Sequence, residues 1–206
     1  MKKVNYIQCG LTALTMAFAM TLCYSCSNDD EDAPKEETIP PSNGGGEING
    51  HAYVELAGIK WATENVGKCD DVEADGKPGS NSNKWGCYYY SQSGATDVAK
   101  KWGDSWKLPT SDQWRALIEK CKWEWTTTLD GKEGYTVSDN ENSSKSIFLP
   151  AAGYLSSGGT VYDQGSLGNY WSSNDKQYLD FHKKGYKRVS SYYGGYKGMV
   201  VRLVVK

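Results

Sequence analysis

The chain predicts an α+β fold: a single domain of short antiparallel strands around one main helix, joined by long glycine-rich loops. Three observations carry this. Only one stretch, entering at Thr110, holds a capped helical pattern. Short apolar or aromatic runs recur on both sides of it, and 23 glycines among 206 residues fall densely between them. Eight tryptophans and fifteen tyrosines stand against three phenylalanines, so much of the core must be aromatic.

The helix is the best-defined element. Pro109 keeps Leu108 extended, so the chain enters from a strand or turn. Thr110 and Gln113 have capping-box spacing, each side chain able to satisfy the other residue's free backbone N–H. Trp114, Leu117, Ile118 and Cys121 follow at i, i+3, i+4, i+7, one apolar helix face. Lys120 and Lys122 close the last turn, where positive charge suits the dipole. On this spacing Cys121 is a core thiol, a common fate for cysteine. Trp102, Trp123 and Trp125 fall off the stripe and stay unassigned.

The remaining elements follow in order. Tyr53–Leu56 and Ile59–Trp61 are two short strands turning at Ala57-Gly58. Lys68 to Lys84 is a long polar loop, and Gly86-Cys87-Tyr88-Tyr89-Tyr90 returns to strand. Asp97 to Trp102 is a second, short helix. A polar loop runs from Trp125 to Lys145. Ile147–Pro150 is a buried strand, Gly153 to Gly168 a glycine-dense hairpin or extended loop. Tyr170–Ser173, Tyr178–Phe181 and Met199–Val205 supply further strands, with Arg202 in the last making a structural hydrogen-bonded pair. No fixed-period repeat is evident.

Ahead of the domain lie two appendages. Residues 1–25 read as a lipoprotein signal: Lys2 and Lys3 are followed by the uncharged run Leu11 to Leu22, too short for a membrane span. Cys23-Tyr24-Ser25-Cys26 is an imperfect lipobox, its leucine at Leu22, and it makes Cys26 the lipidated residue. The acidic run Asp29–Asp32 follows at once. Together these resemble the export signal of Bacteroidetes lipoproteins, which implies an outer-membrane, lipid-anchored and surface-exposed protein. Residues 26–50 are acidic and rich in Pro, Gly and Ser, with seven acids against Lys35 alone, and read as a disordered tether. The domain spans 51–206 and carries 20 Lys and Arg against 18 Asp and Glu, a balance that excludes a nucleic-acid partner.

Five blocks in order resemble the Fibrobacter succinogenes major paralogous domain. They are Trp61-Ala62-Thr63-Glu64-Asn65-Val66, Trp106-Lys107-Leu108-Pro109-Thr110 with Trp114 and Leu117, Ile147–Tyr154, Tyr170–Ser173, and Val201-Arg202-Leu203-Val204. Lys107 and Gln113 replace the family's usual Arg and Glu. The match covers about Val54 to Val205. It implies a C-type-lectin-like single domain, related also to the formylglycine-generating fold, and leaves activity open because kinship of fold does not supply function.

Tests for chemistry narrow the reading. No cysteine follows Cys121, so the paired cysteines of the formylglycine-generating relatives have no counterpart. The Glu-Pro-Asn and Gln-Pro-Asp calcium tripeptides of C-type lectins are missing, and Trp171-Ser172-Ser173-Asn174-Asp175 echoes their Trp-Asn-Asp only superficially. Asp71, Glu73, Asp75 and Gly76 have the opening spacing of a calcium loop, but position 12 is Ser82, which favours a solvated acidic loop over a metal site. Two histidines, His51 and His182, are too few for hydrolase triads or histidine-based zinc sites. Cys69, Cys87 and Cys121 leave either one disulfide, with Cys69–Cys87 the candidate pair, or none. No catalytic residues, metal or cofactor are expected.

From Lys176 to Lys206, eight Lys and Arg face one acid, Asp180, among Tyr178, Tyr186, Tyr192, Tyr193 and Tyr196. These tyrosines either pack on sheet faces, with lysines blunting strand edges, or stack on the sugar rings of an anionic glycan. Tyr192, Tyr193 and Tyr196 are the candidate ligand-binding residues. The sequence thus predicts a surface lipoprotein with a non-catalytic binding or adhesion domain for a glycan or protein ligand. The alternative is a structural accessory subunit of a cell-surface assembly with no small ligand.

Overall fold

The computed structural model describes residues 44–67, 89–128 and 131–206. The expected lipidation site Cys26, most of the expected tether, the acidic loop at Asp71–Asp75 and the candidate pair Cys69–Cys87 lie outside the described residues. Among those described, fourteen short strands and two helices form a mostly antiparallel α+β architecture. No described helix is long and apolar enough to cross a membrane.

The largest sheet has the order β1-β2-β3-β14-β4, from β1 (Gly45–Ile48), β2 (His51–Leu56), β3 (Ile59–Ala62), β14 (Val204–Val205) and β4 (Trp106–Lys107). The first strand corrects the expected tether, whose end at residue 50 is too late. Asn49 and Gly50 both have positive φ, 53° and 77°, so they make a two-residue hairpin turn whose twist suits the flanking strands. Gly45 and Gly46 look like linker residues, yet they pair with Val54 and Tyr53. A Cβ on Gly45 would sit 2.0 Å from the Tyr53 carbonyl oxygen, so a side chain there would push the strand away.

Among the described residues there are two helices of ten residues each, where one main helix with a shorter companion is expected. α1 (Gln92–Lys101) begins five residues before the expected start, capped by Ser91, whose Oγ accepts from the Gly94 N–H at 3.1 Å. Its buried stripe is Ala95, Val98 and Ala99, small residues that leave a weak periodic signal. α2 (Ser111–Lys120) has the predicted reciprocal cap: the Thr110 N–H donates to Gln113 Oε1 at 2.8 Å and the Gln113 N–H to Thr110 Oγ1 at 3.1 Å. Trp114 and Leu117 are fully buried and Ile118 partly so. Cys121 departs from the expected helix face. It is the C-cap, already extended, and only half-buried against the core. Burial, reinforced by Asp139, pushes its thiol pKa up.

The expected polar loop from Trp125 to Lys145 instead holds the end of one strand and the whole of another. β5 (Lys122–Thr127) pairs with β6 (Glu133–Ser138), and β6 with β7 (Ser146–Pro150). Tyr135 and Val137 alternate inward from β6, a two-residue pattern too short to stand out among Thr, Gly and Ser. Trp123 and Trp125 are half-buried and meet Tyr135 edge-on at 5.4 and 5.0 Å. Trp102 lies in the core, stacked on His51 at 3.5 Å.

Two further three-stranded sheets complete the fold. One runs β10 (Leu167–Trp171), β11 (Gln177–His182), β12 (Lys187–Ser191); the other runs β13 (Tyr196–Gly198), β8 (Tyr154–Ser156), β9 (Val161–Tyr162). The predicted strand at Gly86–Tyr90 is seen only at its end, as a bridge from Tyr90 to Met199. Trp61, Trp114 and Tyr170 make a chain of ring contacts at 4.7 and 5.9 Å through the larger core cluster. Beside it Arg202 is 1% exposed. Its guanidinium donates to Asn65 Oδ1, the Ala62 carbonyl and the Phe148 carbonyl at 2.8–2.9 Å, tying three separate segments together.

Candidate ligand-binding surface

The candidate surface lies where the turn after β10 meets the loop after β12. Ser172 to Lys176 form that turn, and neighbouring elements hold it from several sides. The Ser111 N–H, at the start of α2, donates to Asn174 Oδ1 at 2.8 Å. Gln92, at the start of α1, donates to the Asn174 carbonyl at 3.0 Å and accepts from the Lys176 N–H at 3.3 Å. Ser173 N–H reaches the Pro109 carbonyl at 2.8 Å. The Ser111 hydroxyl donates to Gln177 Oε1. Lys176 itself is left-handed, φ 54°. A polar turn carrying so many fixed bonds presents Asp175 and Lys176 on a rigid base.

Opposite stands the segment Tyr192-Tyr193-Gly194-Gly195, tied to the turn by a 2.6 Å bond from the Tyr192 N–H to the Lys176 carbonyl. Gly194 and Gly195 have φ of 111° and 92°, which permits a sharp reversal directly after Tyr193. That reversal leaves Tyr193 95% exposed, while Tyr192 is half-buried. Between turn and loop runs a groove of about 530 Å³, within the usual range for small-ligand sites. Asp175, Lys176, Gln177, Ser191, Tyr192 and Tyr193 line it, together with Gly194.

The three predicted tyrosines therefore divide. Tyr192 and Tyr193 line the groove; Tyr196 does not. Tyr196 packs against Tyr154 at 4.1 Å and Tyr192 at 5.8 Å, and its carbonyl accepts from the Tyr192 hydroxyl at 2.6 Å, so it supports the wall from behind. Tyr178 is buried, edge-on to Tyr196, and burial holds its hydroxyl pKa far above the ordinary value. Asp175, Lys176 and Gln177 escaped the sequence reading. Their only signal was the Asn-Asp turn composition of Ser172–Asp175.

Several of the basic residues of this region are engaged elsewhere. Lys183 pairs with Glu133 at 2.6 Å and lies over the Trp125 ring; Lys187 lies over Tyr135. Arg188 pairs with the buried Asp180 at 3.1 Å and covers Tyr186. Of the cations from Lys176 to Lys206, only Lys176 lines the groove, facing Asp175 as the one acid. The histidines also sit outside it: His51 on Trp102, and His182 stacked on Tyr186 with its Nδ1 accepting from the Lys184 N–H at 3.0 Å.

Comparison with protein-family models gave no match, and comparisons with curated proteins and with solved structures gave none either.

Proposed function

We propose that the chain is a surface lipoprotein, anchored to the outer membrane through Cys26, whose domain is a non-catalytic binding module for a glycan. The observation that carries this is Tyr193, a nearly fully exposed ring at the rim of a groove furnished with a carboxylate, an ammonium and an amide. A tyrosine held out by two glycines gains nothing from the core. Its apolar face and polar tip suit a ligand that is itself apolar on one face and hydroxyl-rich at its edge. With Asp175 beside Lys176 the groove is balanced in charge, which favours a neutral glycan over the anionic one that composition alone suggested.

The C-type-lectin-like assignment is part of the same proposal. Its support is that residues from all five resembling blocks, Trp61, Trp106, Trp114, Leu149, Trp171 and Arg202, are buried in this one folded region. The accessory-subunit reading draws on Tyr162 and Tyr186, which are 48% and 42% exposed away from the groove.

A glycan array with the wild-type domain tests the proposal. Binding to a neutral glycan is expected, weakened roughly tenfold or more by Tyr193→Ala, since one lost ring contact of about 1.4 kcal/mol is a factor of ten. Glycan binding unaffected by Tyr193→Ala and Tyr192→Ala would remove it. No glycan signal, with stable protein partners recovered from solubilised outer membrane, would favour the accessory role.

A further inference from the structure

One face of the β13-β8-β9 sheet carries a row of tyrosines. Tyr154 of β8 stands directly opposite Tyr162 of β9, so both rings project from the same face. Tyr196 of β13 is opposite Ser156, two residues on from Tyr154 in its strand, and therefore shares that face. Leu155 alternates to the other side with its partner Val161, and both pack into the core. The tyrosine face is thus the solvent side: Tyr162 is 48% exposed, and Tyr154 and Ser156 are half-buried.

The rings touch in succession. Tyr162 meets Tyr154 at 5.8 Å and Tyr154 meets Tyr196 at 4.1 Å. Tyr196 in turn meets Tyr192, a lining residue of the tyrosine groove, at 5.8 Å. The row therefore crosses the strands from the far edge of the sheet to the groove wall. The charges next to it balance as they do in the groove, with Asp163 following Tyr162 and Lys197 following Tyr196, both exposed. Each phenol offers an apolar ring and a polar tip. A ligand of repeated units, each apolar on one face and hydroxyl-bearing at its edge, can match one ring after another, whereas a single unit would use the groove alone.

We infer that the ligand of the tyrosine groove is a chain of several neutral sugar units, and that Tyr154 and Tyr162 form an outlying subsite over which the chain continues. The inference rests on the reading of the groove as a glycan site, and adds to it a chain length and a direction.

An array of neutral gluco-, manno-, galacto- and xylo-oligosaccharides of increasing length, probed with the full chain, tests this. In a series that binds, the tetrasaccharide should bind roughly tenfold or more tightly than the disaccharide, the value of one further ring contact. Tyr162→Ala should remove that gain and leave disaccharide binding intact, Tyr162→Phe should keep most of it, and Tyr193→Ala should weaken every length alike. With its ring half in solvent, Tyr162 can be replaced without loss of the fold, which equal urea midpoints of the variants check. Affinity independent of length, or a gain that survives both Tyr162→Ala and Tyr154→Ala, would overturn the outlying subsite and leave the groove reading in place. No binding at any length would overturn both, and a membrane protein partner lost on Tyr162→Ala would then give the row to a protein interface.

Discussion

At the residue scale, single positions carry strain or support that composition does not display. Ala57 sits at φ 54° in the turn between β2 and β3, where an L-residue with a Cβ costs about 1–2 kcal/mol. Replacing it with glycine relieves that strain and loses about 0.4–1 kcal/mol to the freer unfolded chain. Ala57→Gly should therefore stabilise by about 0.5–1 kcal/mol, seen as a raised urea midpoint with unchanged slope. Arg202 lies at the other extreme. Arg202→Met strips the Ala62 and Phe148 carbonyls of a donor inside the core, and should destabilise by about 3 kcal/mol in the same assay. Tyr193→Ala should shift stability by less than about 0.5 kcal/mol while weakening glycan binding, because its ring is already in solvent. Arg202 was legible as a structural residue from its flanking Val201 and Leu203. Asp175 and Lys176 were not, since what makes them groove residues is a turn held by Gln92 and Ser111, which are distant in sequence.

At the element scale, strong local signals survived and weak ones did not. The capping box around Thr110 and the stripe of Trp114 and Leu117 were read correctly because a cap and a 3.6-residue period are written locally. α1 was cut short because serine, glycine and alanine make a faint stripe, and β6 was missed because only Tyr135 and Val137 mark its inner face. β1 reads as tether in the sequence because its glycines resemble linker, although Asn49-Gly50 is a hairpin signal. Glycine plays an opposite part in β10. Gly168 faces Phe181 across the ladder, and a Cβ there would lie 2.0 Å from the ring of that fully buried side chain. Gly168→Ala should cost about 2 kcal/mol by overpacking, whereas Gly185→Ala, in open space, should show only the milder strain of its positive φ. Paired denaturation curves of the two variants separate these causes.

At the scale of the whole molecule, tyrosines drawn wholly or partly out of solvent tie stability to alkaline pH. Burial raises the hydroxyl pKa of Tyr135, Tyr154, Tyr178 and Tyr186 above 10.0 in the folded chain. Their neutral form is favoured in the native state, so the unfolded chain loses protons first. The stabilisation is complete below pH 10 and is lost as pH rises through the folded values. The urea midpoint should fall between about pH 9 and about pH 11, and tyrosinate absorbance should appear in full only on unfolding. Complete tyrosine ionisation without unfolding would refute this. The sequence by itself determined the α+β class, the capped central helix and the aromatic character of the core, because caps, turn residues and periodicity act between near neighbours. Only the tertiary structure decided that Tyr192 and Tyr193, but not Tyr196, border a groove, and that Lys183, Lys187 and Arg188 are turned to partners elsewhere. Those outcomes depend on strand register and on contacts between residues far apart in the chain, and no local pattern encodes them.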